Sequence, residues 1–272
     1  MNLTKITDLY NSLLPMKVVT FNEIVQEATN IVEDSYSSKY IYDKYVTQLL
    51  KTGRLDAIRK GLYAVLSPLE QDEKYEPDKF LIASKIREDY FLGFHTALEY
   101  YGSAYSAFNE VYVCTTSRNR FNPFSYKRFT FKRVEVKDTT SQVLNKHYGK
   151  NFLRVSSKER TFIECVDKPQ YAGGWEECIK SLENLSGIDE EQLLSLTLKQ
   201  KGKRLLSRVG YVLELLKKRS PFYEHISDDT LNEIEMKTKG SPKYLVKGQK
   251  AALNRRWNLW TPEGFEEKLR DV

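Results

Sequence analysis

Leu3, Ile6, Leu9, Tyr10 and Leu13 recur at helical spacing, and Pro15 ends that run. Thr20 predicts an N-cap, with Glu23 three residues on completing a capping box. Phe21, Ile24, Val25 and Ala28 form the inward stripe of a second helix. After a polar stretch, Ser37 and Ser38 cap a third helix, which ends near Gly53, a residue suited to the left-handed turn that closes a helix. Ile41, Tyr45, Val46 and Leu49 lie on one side of it. Tyr40, Asp43, Lys44, Thr47 and Lys51 fall within roughly a third of the opposite side, at about 100° per residue. Two β-prone runs follow, Arg54 to Arg59 and Leu62 to Leu66, around the turn Lys60-Gly61. They predict a hairpin with Arg59 and Lys60 at its tip.

Three helices and a basic-tipped hairpin predict a winged helix-turn-helix, with the third helix entering the major groove of DNA. The outward stripe (Tyr40, Asp43, Lys44, Thr47, Lys51) is cationic, hydroxylic and aromatic, which suits base edges and phosphates. Arg54, Arg59 and Lys60 are the expected backbone contacts. Pro68, Pro77 and the run Glu70-Gln71-Asp72-Glu73 predict an acidic linker, with a new helix starting near Asp78. The expected domains are therefore a winged helix over 1–68, a linker over 69–78 and a C-terminal domain over 79–272.

In the second part, Phe91 to Gly102 reads as a helix closed by Gly102. Val111–Thr115, Arg128–Val136 and Leu153–Val155 read as strands by alternation. Arg118, Asn119, Arg120 and Phe121 form a basic and aromatic loop, which with Lys127 and Arg128 would extend the footprint on the duplex. Ser157 opens a further helix, Gly173-Gly174 turns into another at Trp175, and the chain reads helical to about Lys218. The expected fold class is α+β: the winged helix, then an α/β domain ending in a helical, basic extension.

Charge sharpens this reading. The net charge of +6 is weak by itself, but it is unevenly spread. Residues 37–66 carry +4 and 115–160 carry +9, whereas 67–79 carry −3 and 161–195 carry −6. Residues 199–219 and 236–256 each carry +7. Alternation of this kind concentrates positive field on part of a surface, as a polyanion binder requires. No apolar run approaches the ~20 residues of a membrane helix. Met1-Asn2-Leu3-Thr4-Lys5 lacks the layout of a secretory signal, and Cys114, Cys165 and Cys178 have no metal or disulfide spacing. Together these predict a cytoplasmic protein without membrane, metal or cofactor.

Catalytic constellations are sparse. Glu135-Val136-Lys137 on a predicted strand meets the spacing of a PD-(D/E)xK nuclease, with Asp89, Glu99 or Glu110 as upstream carboxylate for a magnesium ion. Any charged strand can supply that spacing. His95, His147 and His225 are far apart, and His95 lies in an apolar helix where packing explains it. A non-enzyme is expected; a nuclease and a winged helix used only for protein contacts are the alternatives.

Several segments together resemble the AbiE-type antitoxins of type IV toxin–antitoxin systems, also described as predicted transcriptional regulators of viral defence. They are the hairpin ending Arg59-Lys60-Gly61-Leu62-Tyr63-Ala64, then His95-Thr96-Ala97-Leu98-Glu99-Tyr100-Tyr101-Gly102, then Glu159-Arg160-Thr161-Phe162-Ile163-Glu164-Cys165. Pro169 to Gly174 and Leu206 to Glu214 continue the series, and Gly248 with Asn254 to Leu259 is a weaker echo. The pieces span nearly the whole chain in family order. Glu164 departs from the usual Asp. The resemblance implies an antitoxin that represses its own operon by binding inverted repeats in double-stranded promoter DNA, as separate monomers or a homodimer. It implies that the C-terminal domain counters a nucleotidyltransferase toxin without a stable complex, and that its basic surface assists DNA binding.

Overall fold

The computed structural model describes residues 3–32, 37–70 and 75–269; most of the expected acidic run, Gln71 to Glu73, lies outside them. The chain opens with α1 (Leu3–Leu13), and Pro15 sits in the single 3-10 turn that follows. Strand β1 (Val18–Thr20) leads directly into α2 (Phe21–Val32). The expected capping box is present: the Glu23 amide donates to Thr20 Oγ1 at 3.3 Å, and the Thr20 amide to Glu23 Oε2 at 2.8 Å. The third helical run comprises α3 (Ser38–Ile41), a π-helical turn (Tyr42–Val46) and α4 (Thr47–Lys51), capped by Ser37 Oγ. A hairpin follows, β2 (Leu55–Arg59) and β3 (Leu62–Val65), turned at Lys60-Gly61 with Gly61 at φ +77°. β1 completes a three-stranded sheet in the order β1-β3-β2, a strand too short for alternation to reveal.

Beyond these come α5 (Lys79–Ser84), β4 (Phe91–Leu92), α6 (Phe94–Tyr100), β5 (Glu110–Thr115), β6 (Phe124–Tyr126), β7 (Phe129–Glu135), β8 (Val143–Tyr148) and β9 (Asn151–Ser156). The strands form a sheet in the order β6-β7-β5-β4-β9-β8, with β6 and β7 antiparallel and β4 and β9 parallel. Helices α7 (Lys158–Asp167), α8 (Trp175–Glu183), α9 (Glu190–Leu198), α10 (Lys203–Arg219) and α11 (Asp228–Thr238) follow. The class is thus α+β, as expected.

Its end differs from expectation. Residues after 238 do not continue as helix but form β10 (Lys243–Tyr244), β11 (Ala251–Asn254) and β12 (Leu259–Pro262), in the order β10-β12-β11, before a last turn α12 (Phe265–Lys268). Pro242 and two positive-φ residues, Gly248 and Asn258, break the helix and turn the strands.

Two compact units emerge, and their limits do not follow the linear division at 68 and 79. The first holds Met1–Phe91, Val113–Thr139 and Asn145–Arg154. The second holds Leu92–Tyr112, Thr140–Leu144 and Val155–Val272. The physical reason lies in long-range bonds inside the first unit. Tyr126 donates to Asp56 Oδ2 at 2.7 Å and Tyr148 to Asp78, so the later strands close on the hairpin and on α5.

The first unit's core is built from Leu9, Leu13, Ile24, Ala28, Ile41, Val46, Leu49, Leu55 and Val65, all buried. In the second unit, α10 buries Val209 to Leu213 and Leu215-Leu216. Gly210 is required there, because a Cβ would lie 2.0 Å from Trp257 Cζ3.

Candidate nucleic-acid interface

The side chains expected to face inward on the third helical run, Ile41, Tyr45, Val46 and Leu49, are all buried. That packing turns the other side outward. Tyr40 is 38% exposed, and Asp43, Lys44 and Lys51 are exposed. Thr47 is half-buried and donates to the Tyr42 carbonyl at 3.1 Å. A π turn runs through this segment, and its wider ring rephases the residues around it. The same turn brings out Tyr42, 42% exposed and edge-on to Phe21 at 5.9 Å between ring centroids. Lys39 is exposed as well. Both were missed by a uniform helical wheel.

The hairpin separates its two tip cations. Lys60 is exposed in the turn, but Arg59 lies over the Phe124 ring at 4.8 Å and is half-buried. A register shift between Ala57 and Arg59 reorients this end of β2. Burial, then the nearby Arg87, pull the Arg59 guanidinium below its ordinary pKa. Arg59 therefore joins a cluster of aromatic rings rather than the expected outer contact. Arg87 lies over Phe121 at 5.8 Å, and Phe121 and Phe124 are 6.4 Å apart. Arg54 is also half-buried, over the Tyr10 ring at 4.8 Å, while Tyr10 donates to the Leu66 carbonyl at 2.6 Å.

The second basic segment belongs to the same unit. Arg118 and Arg120 are exposed on the loop before β6, where Arg120 Nε donates to the Ser117 carbonyl at 3.0 Å. Lys127 and Arg128 form the β6–β7 turn, and Arg128 pairs with Glu76 at 2.7 Å. Tyr126 and Phe124 fasten this strand to β2 through Asp56 and Arg59.

The nuclease spacing is occupied by other bonds. Glu135 accepts from Arg133 at 2.8 Å, and Asp89 accepts from the amide and hydroxyl of Thr116 at 3.0 and 2.7 Å. Among the described residues, no group of three or more His, Cys, Asp or Glu is placed to hold a metal ion.

In the second unit, the segments around His95, Glu159, Gly173 and Arg208 pack on one another. His95 is buried, stacked on Phe108 at 3.7 Å, with Nε2 3.3 Å from Glu177 Oε1. Glu177 also accepts from the Ser106 amide and hydroxyl, each at 2.9 Å. Gly173, at φ +78°, lets this carboxylate approach, because a Cβ would come within 2.6 Å of Glu177 Cγ and Phe108 Cζ. Glu159 is buried and accepts from the Asp189 amide at 3.0 Å. Arg160 donates to Glu164 at 2.7 Å, yet burial still pushes the Glu164 carboxyl up. Arg208 gives its Nη atoms to the carbonyls of Asp167 and Leu245, and burial followed by Arg204 lowers it to about 10. These residues hold the fold together.

No family model matches the chain, and no curated protein does. Among solved structures it is similar to the RV2827C protein from Mycobacterium tuberculosis, with a TM-score of 0.63 at 15% identity, covering 95% of this chain and 91% of that one. At that identity the likeness shows the fold alone. No helix among the described residues is long and apolar enough to cross a membrane.

Proposed function

We propose that this protein binds double-stranded promoter DNA through a winged helix-turn-helix formed by its first 68 residues, and acts as the autoregulating antitoxin of a type IV toxin–antitoxin pair. The observation that carries the DNA-binding part is the exposed surface of the third helical run, Lys39, Tyr40, Tyr42, Asp43, Lys44 and Lys51, followed in the chain by exposed Lys60 in the hairpin turn. Its inward side is used by the core, which leaves Lys39, Lys44 and Lys51 exposed. Exposed cations and tyrosine hydroxyls on such a run suit phosphates and groove edges.

The antitoxin part rests on the family resemblance of the motif segments. In this reading the protein is a non-enzyme, located in the cytoplasm, that counters a nucleotidyltransferase toxin without holding it in a stable complex. Arg118, Arg120 and Lys127 would lengthen the DNA footprint, with Arg128 contributing only on release from Glu76.

The test has two arms. Fluorescence anisotropy on the DNA upstream of the gene should show tighter binding than to a shuffled fragment, and Lys44→Ala with Lys60→Ala should weaken it. Expression of a neighbouring nucleotidyltransferase gene should arrest growth, and this protein should restore it. Equal binding to both fragments overturns the operator reading; growth arrest that this protein does not relieve overturns the antitoxin reading.

A further inference from the structure

A cavity of about 630 Å³ in the first unit uses none of the residues assigned above to DNA. It lies within the usual volume range of small-molecule sites, roughly 300–1,000 Å³. Its walls combine three cations (Lys85, Lys150 and Arg154), two carboxamides (Asn145 and Asn151) and the ring of Phe152. We infer that this cavity binds a free nucleoside polyphosphate, its phosphates on the cations and its base on Phe152.

Arg154 gives its Nη atoms to the carbonyls of Glu88 and Thr139, at 3.1 and 2.6 Å, which hold the guanidinium without neutralising it. Its backbone amide donates at 3.0 Å to the hydroxyl of Tyr90, which also lines the cavity. Lys150 is exposed in the β8–β9 turn, which Gly149 makes at φ +58°. Lys85 is already paired with Glu23, so the two other cations carry the attraction. Among the described residues, no carboxylate lines the cavity.

The aromatic wall is equally telling. Phe152 is 58% exposed, with His147 4.2 Å away between ring centroids. A base stacked on Phe152 would cover apolar surface that now faces water. Asn145 and Asn151 offer donors and acceptors, which match the edge of a base. Phosphate alone would leave the ring and the amides unused.

Calorimetric titration of the full-length protein with ATP, GTP, CTP, UTP, tripolyphosphate and adenosine tests this directly. At least one nucleotide should bind one to one, with tripolyphosphate and adenosine each about tenfold weaker or more. Phe152→Ala should weaken that nucleotide about tenfold and leave tripolyphosphate unchanged, whereas Lys150→Glu should weaken both. Both side chains are exposed, and circular dichroism verifies that the variants fold. The inference is overturned if none of the four nucleotides binds at millimolar concentration, if both variants bind as the parent does, or if tripolyphosphate binds as tightly as the best nucleotide. It is also overturned if duplex DNA displaces the nucleotide with the same dependence on Lys150, for then the cavity belongs to the duplex footprint. DNA binding measured in parallel separates this site from the proposed repressor function, since either can fail alone.

Discussion

Gly210→Ala is the sharpest perturbation available in the second unit. The new Cβ would lie 2.0 Å from Cζ3 and 2.3 Å from Cε3 of Trp257. Carbon atoms in contact sit about 3.5–4.0 Å apart, so the indole must retreat by about 1.5 Å or the helix must shift. The indole is fully buried, and its Nε1 donates to Glu214 Oε2 at 2.7 Å. Losing that charge-assisted bond costs about 1.5–3 kcal/mol, and overpacking adds about 1–3 kcal/mol. Better helix propensity returns about 1 kcal/mol. The net destabilisation is about 1.5–5 kcal/mol, which lowers the melting temperature by about 5–20 °C for a unit of this size. All three tryptophans, Trp175, Trp257 and Trp260, lie in the second unit, so their fluorescence follows its melting without a signal from the first. In a Trp257→Leu background, where the clash is gone, the same Gly210→Ala change should be neutral or slightly stabilising. An unchanged or raised melting temperature in the parent background would refute the close packing of α10 on Trp257.

Four further outcomes follow from the contacts above. Tyr126→Phe removes the bond to Asp56 and should destabilise the first unit by about 1–3 kcal/mol, read from the hydrogen-exchange protection of the β2–β3 amides. Burial opposes the charge of Glu70, but Lys17 and Ser67 outweigh it and hold its carboxyl at about 2; because the folded value is depressed, that stability is present above about pH 4.5 and is lost as pH falls toward 2, and Lys17→Met should flatten this dependence. Glu177→Ala strips His95 and Ser106 of a shared acceptor and should cost about 3 kcal/mol or more, measured on the tryptophan transition. Arg59→Ala should lower stability while leaving the salt dependence of DNA binding nearly intact, because the guanidinium faces Phe124 rather than solvent.

The parts legible in sequence are those set by short-range periodicity and local chemistry. The inward stripe Ile41, Tyr45, Val46 and Leu49 and the Thr20–Glu23 capping box could be read because their partners are a few residues away. Arg59 could not, since its environment depends on a bulge in β2 and on Phe124, far along the chain. The exposure of Tyr42 could not be read either, because the π turn breaks the 3.6-residue repeat on which a helical wheel depends. The terminal sheet was hidden by short strands, and its basic composition is equally compatible with helix. The cavity beside the β8–β9 turn draws on residues from 84 to 154, so only the folded chain assembles it.

Salt titration of promoter binding tests the central proposal most directly. Six cations per subunit, counting Arg54 and Arg59, would give a slope of log K against log salt near −5, by about −0.9 per phosphate neutralised. Four outward cations, Lys39, Lys44, Lys51 and Lys60, give about −4 instead. Contacts from Arg118, Arg120 and Lys127 would steepen it by about 0.9 each, and Arg118→Ala would then take back about 0.9. A slope of about −4 that falls by about 2 in the Lys44→Ala, Lys60→Ala double variant is the predicted result. Binding to the upstream fragment that is insensitive to salt, or a slope unchanged by the double variant, would contradict it.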